Sequence, residues 1–160
     1  MPETVVGLFK TRSDAEKAVR ELERAGFGPG EIGVVWPGEA REGHYGTKVA
    51  AGVGAGSVVG SVLGALAAGL IPGIGPVIAG GALAAVLGGA ATGAATGGLA
   101  GALLSMAASG DRALYYEQEV QSGRFLVSVT SDRPDEAHAA LRDSGALEAS
   151  PIQAPVQELP

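Results

Sequence analysis

An α+β sandwich of two strand–helix–strand halves, with a long apolar helical hairpin inserted between them, is the fold this sequence predicts. Three observations carry the prediction. Each end of the chain reads as strand, helix, strand. The ends repeat one another, because Ala18, Leu22 and Gly26 recur 119 residues later as Ala137, Leu141 and Gly145. Between them, Val49 to Gly110 runs 62 residues without Asp, Glu, Lys, Arg or His. Two βαβ halves packed together give a ferredoxin-like sandwich, and a hairpin at their junction returns both its ends to one side. The expected division is 1–47 for the first half and 48–110 for the Gly/Ala-rich antiparallel hairpin. Residues 111–153 make a linker helix and the second half, and 154–160 a frayed tail.

In the first half, Thr4 to Lys10 (TVVGLFK) is apolar on both faces and reads as a central strand. Ser13 with Glu16 has the spacing of a capping box. Ala15, Ala18, Val19, Leu22 and Ala25 then share one helical face, and Gly26 ends the helix at C′. Glu31 to Trp36 is a second strand, stopped by Pro37-Gly38, and Arg41 to Thr47 is a polar connector. In the second half, Asp111 to Ser122 reads as a helix ended by Gly123. Arg124 to Thr130 alternates, with Phe125, Val127 and Val129 on one face and Leu126, Ser128 and Thr130 on the other. A helix from Pro134 or Asp135 to Ser144 ends at Gly145. Ala146 to Gln153 is an edge strand, the place where Pro151 is tolerated.

The middle is organised by glycine. Gly52, Gly56, Gly60 and Gly64 form one row at four-residue spacing; Gly89, Gly93, Gly97 and Gly101 form a second that mirrors the first. Four-residue spacing places each row on one face of a helix and lets a second backbone approach closely, as in GxxxG pairs. Pro72, Gly73, Gly75 and Pro76 lie between the rows and read as the turn. The two helices would reach roughly 35–45 Å, and helices apolar all round need cover. Lipid or further copies of the chain are the expected cover, and either helix is long enough to cross a bilayer. Gly88 to Gly98 holds no large aliphatic, so it suits a neighbouring helix better than lipid. Tyr45 before the stretch and Tyr115 and Tyr116 after it fit an interfacial belt, or equally core packing under the sheet. Arg41, Lys48 and Arg112 all flank the stretch on the domain side, which fits cytoplasmic termini.

Composition excludes several function classes. A net charge of −6 and no basic clustering argue against nucleic acid, and against a polybasic membrane anchor. Without cysteine there is no disulfide, thiolate nucleophile or thiolate-held metal. The start Met1-Pro2-Glu3-Thr4 lacks a basic segment leading into an apolar one, so no signal peptide is expected. Lys48 follows Thr47 rather than glycine, and Gly52-Val53-Gly54-Ala55-Gly56 follows no strand, so neither phosphate-binding loop is present. His44 and His138 are isolated, and Asp14, Glu16, Glu21, Glu23, Glu117 and Glu119 read as solvated helix faces. No catalytic residue, cofactor, metal ligand or small-molecule substrate is expected.

The segment VVGLFKTRSDAEKAVRELERAGFGPGEIGVV, the glycine-rich apolar middle and YYEQEVQSGRFLVSV together resemble the bacterial general stress protein 17M-like family, over roughly residues 4–145. The resemblance implies a bacterial, stress-associated, often membrane-predicted protein without established enzymatic activity. The expected function is thus a non-enzymatic inner-membrane protein, both termini cytoplasmic, that self-associates through its glycine-zipper hairpin. The rival expectations are a soluble or lipid-shielding homo-oligomer with the hairpins as its apolar core, and a small-molecule-sensing module.

Overall fold

The computed structural model describes residues 2–38, 67–71, 75–88, 99–101, 103–104 and 108–152. Strand β1 (Glu3–Phe9) is buried from Thr4 onward. It leads into α1 (Arg12–Arg24), whose apolar stripe Ala15, Ala18, Val19 and Leu22 is sealed against the sheet. The helix starts earlier than the expected capping box: Thr11 is the N-cap, its hydroxyl accepting from the Asp14 N–H at 3.2 Å. Ser13 therefore lies inside the first turn, and Glu16 is taken up by an ion pair with Arg12 at 2.8 Å. Gly26 closes the helix as expected. Its φ of 97° lets Gly26 N–H reach Glu23 C=O and Phe27 N–H reach Leu22 C=O, a geometry that a Cβ disfavours.

Strand β2 (Ile32–Pro37) follows, and β5 (Phe125–Ser131), α4 (Pro134–Asp143) and β6 (Glu148–Pro151) make the matching unit at the other end. Between them lie β3 (Ala67–Ile71), β4 (Gly75–Gly80), α2 (Gly81–Gly88) and α3 (Gly110–Gln121). All six strands join one sheet in the order β3-β4-β2-β5-β1-β6, and every neighbouring pair is antiparallel. The fold is α+β. Strands β1 and β2 are joined through α1 and separated by β5; β5 and β6 are joined through α4 and separated by β1.

The helical hairpin expected over 48–110 is corrected over residues 67–80. Ala67–Ile71 and Gly75–Gly80 are strands that pair with each other from Ala67↔Ala79 to Ile71↔Gly75, and β4 pairs onward to β2. Gly75 and Pro76, expected in the turn, open β4. Pro72 and Gly73 lie outside the described residues, as do Tyr45 and the zipper positions Gly52, Gly56, Gly60, Gly64, Gly89, Gly93 and Gly97. Gly101 is half-buried in a helical segment, residues 99–101 and 103–104.

The reason for the difference lies in the sheet. One face carries Val5, Phe9, Val34, Val127 and Val129 and is covered by α1 and α4. The opposite face is equally apolar, with Val6, Leu8, Val35 and Leu126. Val77 and Ala79 of β4 extend that face, and its cover comes from further along the charge-free stretch: Leu83, Leu99, Ala100, Leu103 and Ala108, joined by Ala113, Tyr116 and Val120 of α3. Three layers result, helices on both faces of the sheet. Contact at the second face is close. Gly81 bridges Gly33, and a Cβ on Gly33 would stand 2.7 Å from Leu83 Cγ, Leu83 N and Ser128 Oγ. A side chain there would push α2 off the sheet.

If the apolar stretch supplies this second layer, Leu103→Ala removes a side chain that is 0% exposed. The expected cost is about 2–5 kcal/mol, read as a lower urea midpoint. An unchanged midpoint would mean that the segment does not cover the sheet.

Candidate functional site

Among the described residues, one charged side chain is buried inside the fold, Arg112, where α3 meets the edge strand β6. Ser109 starts α3, its hydroxyl accepting from Arg112 N–H at 3.3 Å, while its own N–H donates to Ile152 C=O. Positions 112, 116 and 120 then fall on one helical face, the buried one. That face brings a guanidinium into the second core, and Arg112 is only 3% exposed. Its Nη1 donates to the Tyr116 hydroxyl at 3.0 Å and to Glu148 Oε1 at 2.5 Å. Tyr115 stacks obliquely on Tyr116, ring centres 5.4 Å apart, and its hydroxyl reaches the same Glu148 carboxylate.

Electrostatics follow from this geometry. Burial disfavours the Arg112 charge, but Glu148 and Tyr116 more than offset it, and its pKa is raised. Burial pushes Tyr116 up to about 12; the Arg112 cation pulls the other way and Glu148 adds to the rise. Tyr115 is raised as well, by burial first and by its bond to Glu148 second. All three groups are thereby held in their neutral-pH states. Arg112 and Tyr116 are enclosed, and their bonds to Glu148 and to each other clamp α3 to β6. A second polar tie lies beside it, Glu117 accepting from Ala100 N–H at 3.1 Å.

The structure redistributes the sequence candidates. Tyr116 is core, and Tyr115 is half-buried against it. Arg112, expected as a flanking surface charge, is an internal ion pair. Glu117, expected on a solvated face, caps a backbone N–H. His138 is half-buried rather than solvated, its Nε2 donating to Ala149 C=O at 2.9 Å and tying α4 to β6. Sequence reasoning missed the Arg112–Glu148 pair, although Arg112 stands four residues before Tyr116 and eight before Val120, in the apolar stripe. Two buried polar atoms, Trp36 Nε1 and Ser128 Oγ, have no hydrogen-bond partner among the described residues. Ser128 Oγ faces the filled contact between Gly33 and Leu83 and marks no ligand space. No group of three or more metal-ligating side chains occurs among the described residues, and no helix among them is long and apolar enough to cross a membrane.

Two predictions follow from the clamp. Glu148→Ala strands the Arg112 charge and is expected to cost about 2–3 kcal/mol in urea unfolding. That is below the value for a fully sealed pair because Glu148 keeps partial contact with water. Adding Arg112→Met should restore most of the loss; a double variant as unstable as the single would contradict a clamp built on charge pairing. Alkaline titration tests the tyrosines. With an ordinary pKa of 10.0 in the unfolded chain and about 12 in the fold, Tyr116 holds its proton more tightly when folded. Its contribution is complete below pH 10 and is lost as pH rises through 12. Tyr116→Phe should make the fall in melting temperature over that window shallower; an identical slope would show that the phenol ionises freely.

No family model, curated protein or solved structure matches this chain.

Proposed function

We propose that the protein is a non-enzymatic, self-associating protein built on a ferredoxin-like core. Strands β2-β5-β1-β6, with α1 and α4 on one face, have the interleaved order of two split βαβ units. On this reading β3 and β4 are additions that extend the sheet, and α2 and α3 are additions that close its second face.

One observation carries the self-association: beyond the described residues that cover the sheet, the charge-free stretch continues as an uncharged run with a regular glycine row. Leu83, Leu99 and Leu103 are consumed in covering the sheet. Residues 49–66 are equally without charge and hold the row Gly52, Gly56, Gly60 and Gly64. A run so apolar needs cover, and its four-residue glycine spacing suits close contact with a copy of itself. A second reading, attachment to membrane lipid, is favoured by the same run, which is 18 residues long and free of charge. A role in bacterial stress rests on the resemblance to the general stress protein 17M-like family.

The test is the mass and lipid content of the purified full chain. In plain buffer the protein is expected to form a discrete, lipid-free multimer that Gly56→Leu shifts toward smaller species. Protein that stays dispersed only in detergent and carries phospholipid would transfer the function to the membrane. A monomer at every concentration would end the self-association reading.

A further inference from the structure

Hydrogen-bond parity in the sheet shows which backbone groups of its edge strands point outward, and the inference drawn from it rests on the self-associating reading above. In an antiparallel ladder, the N–H and C=O of successive residues point to opposite neighbours. Thr130 N–H bonds Glu31 C=O at 2.8 Å, so odd-numbered residues of β2 face β5 and even-numbered ones face β4. Through the register Trp36↔Ile78, Ile78 and Gly80 face β2, while Gly75, Val77 and Ala79 face β3. Their partners Ile71, Gly69 and Ala67 therefore bond β4. The N–H and C=O of Ala68 and Leu70 are left pointing off the sheet. The same parity places the missing N–H groups of Pro37 and Pro76 beyond the ends of their ladders. At the far edge it accounts for Ile152 N–H bonding Thr4 C=O.

The two edges differ. Strand β6 has four residues, carries Glu148 and ends in Pro151, which are features that guard an edge against pairing. Strand β3 (AAGLI) has neither charge nor proline, and among the described residues nothing bonds its outer groups. We propose that β3 pairs antiparallel with β3 of a second copy, about a two-fold axis through Gly69, so that one sheet runs through both subunits. The pairing is self-complementary. Ala68 meets Leu70 of the second copy in a hydrogen-bonded pair, and the axis repeats the pair, giving four backbone bonds. Gly69 meets its own mate at a non-hydrogen-bonded position, where Cα atoms approach to about 4.5 Å. An uncharged contact also suits a chain whose net charge is −6, since no like charges are brought opposite one another.

The chain has no cysteine, which makes crosslinking of the full-length protein a direct test. Gly69→Cys places two thiols across the axis at a separation suited to a disulfide. Mild oxidation should join it into dimers far faster than Gly28→Cys, a control site where a Cβ meets nothing within 4 Å. Ala68→Pro deletes one outward N–H per copy without touching the β4 ladder, and should weaken association by roughly tenfold. On the unmodified chain, amide exchange at Ala68 and Leu70 should slow as protein concentration rises. A multimer whose Gly69→Cys variant crosslinks no faster than the control would overturn the β3 contact and leave self-association standing. So would protection of Ala68 and Leu70 that is independent of concentration, since a segment of the same chain would then occupy the edge. A wild-type monomer at all concentrations would overturn both.

Discussion

The fold depends on a sheet that is apolar on both faces. Val5, Val127 and Val129 look one way and Val6, Leu8, Val35 and Leu126 the other, and neither set can be left in water. Burying a large aliphatic side chain is worth about 1.5–3 kcal/mol, so each uncovered face would cost several such contributions at once. The amphipathic helices α1 and α4 cover one face only. The second is covered by the apolar side of α3 together with part of the long uncharged block. Drawing part of that block onto the sheet satisfies both surfaces together, the stretch and the strands each becoming the other's cover.

That constraint explains which parts of the fold were legible. Strands β1, β2 and β5 and helices α1, α3 and α4 each carry their own period and their own stops, Gly26, Gly123 and Gly145 among them, and the sequence locates them within a residue or two. The stretch carries a period only in its glycine rows. Residues 67–80 belong to neither row, and a short apolar run without polar alternation does not distinguish strand from helix. The clue was non-local. A strand such as TVVGLF, apolar on both sides, requires two covering layers, and the helices of the two strand–helix–strand units supply one. The clamp was illegible for a different reason: Arg112 and Glu148 are 36 residues apart, and only the placement of β6 beside β1 brings them together.

The same division explains the distribution of polar contacts. On the first face, surface ion pairs such as Arg24–Glu21 and Arg133–Glu136 line helices whose position is already set by large side chains. Phe27 beneath the Arg133 guanidinium, 4.3 Å from its carbon, adds a directional contact at the α1 terminus. The second face has less shape to work with. Leucine, valine and alanine dominate it, and α2 (GALAAVLG) offers no polar side that would orient it in water.

A layer so uniform can be covered in several registers at similar energy, because hydrophobic burial is non-directional. Directional bonds at its margins remove the degeneracy. Glu117 fixes the helical turn at Ala100, Ser109 fixes the start of α3 against Ile152, and Arg112 fixes the helix face against Glu148. Each is satisfied in one register, and a slip of one residue would leave a carboxylate or a guanidinium buried without a partner, a penalty larger than the burial a slip could recover. The buried charge therefore acts less by strengthening the fold than by making its alternatives expensive.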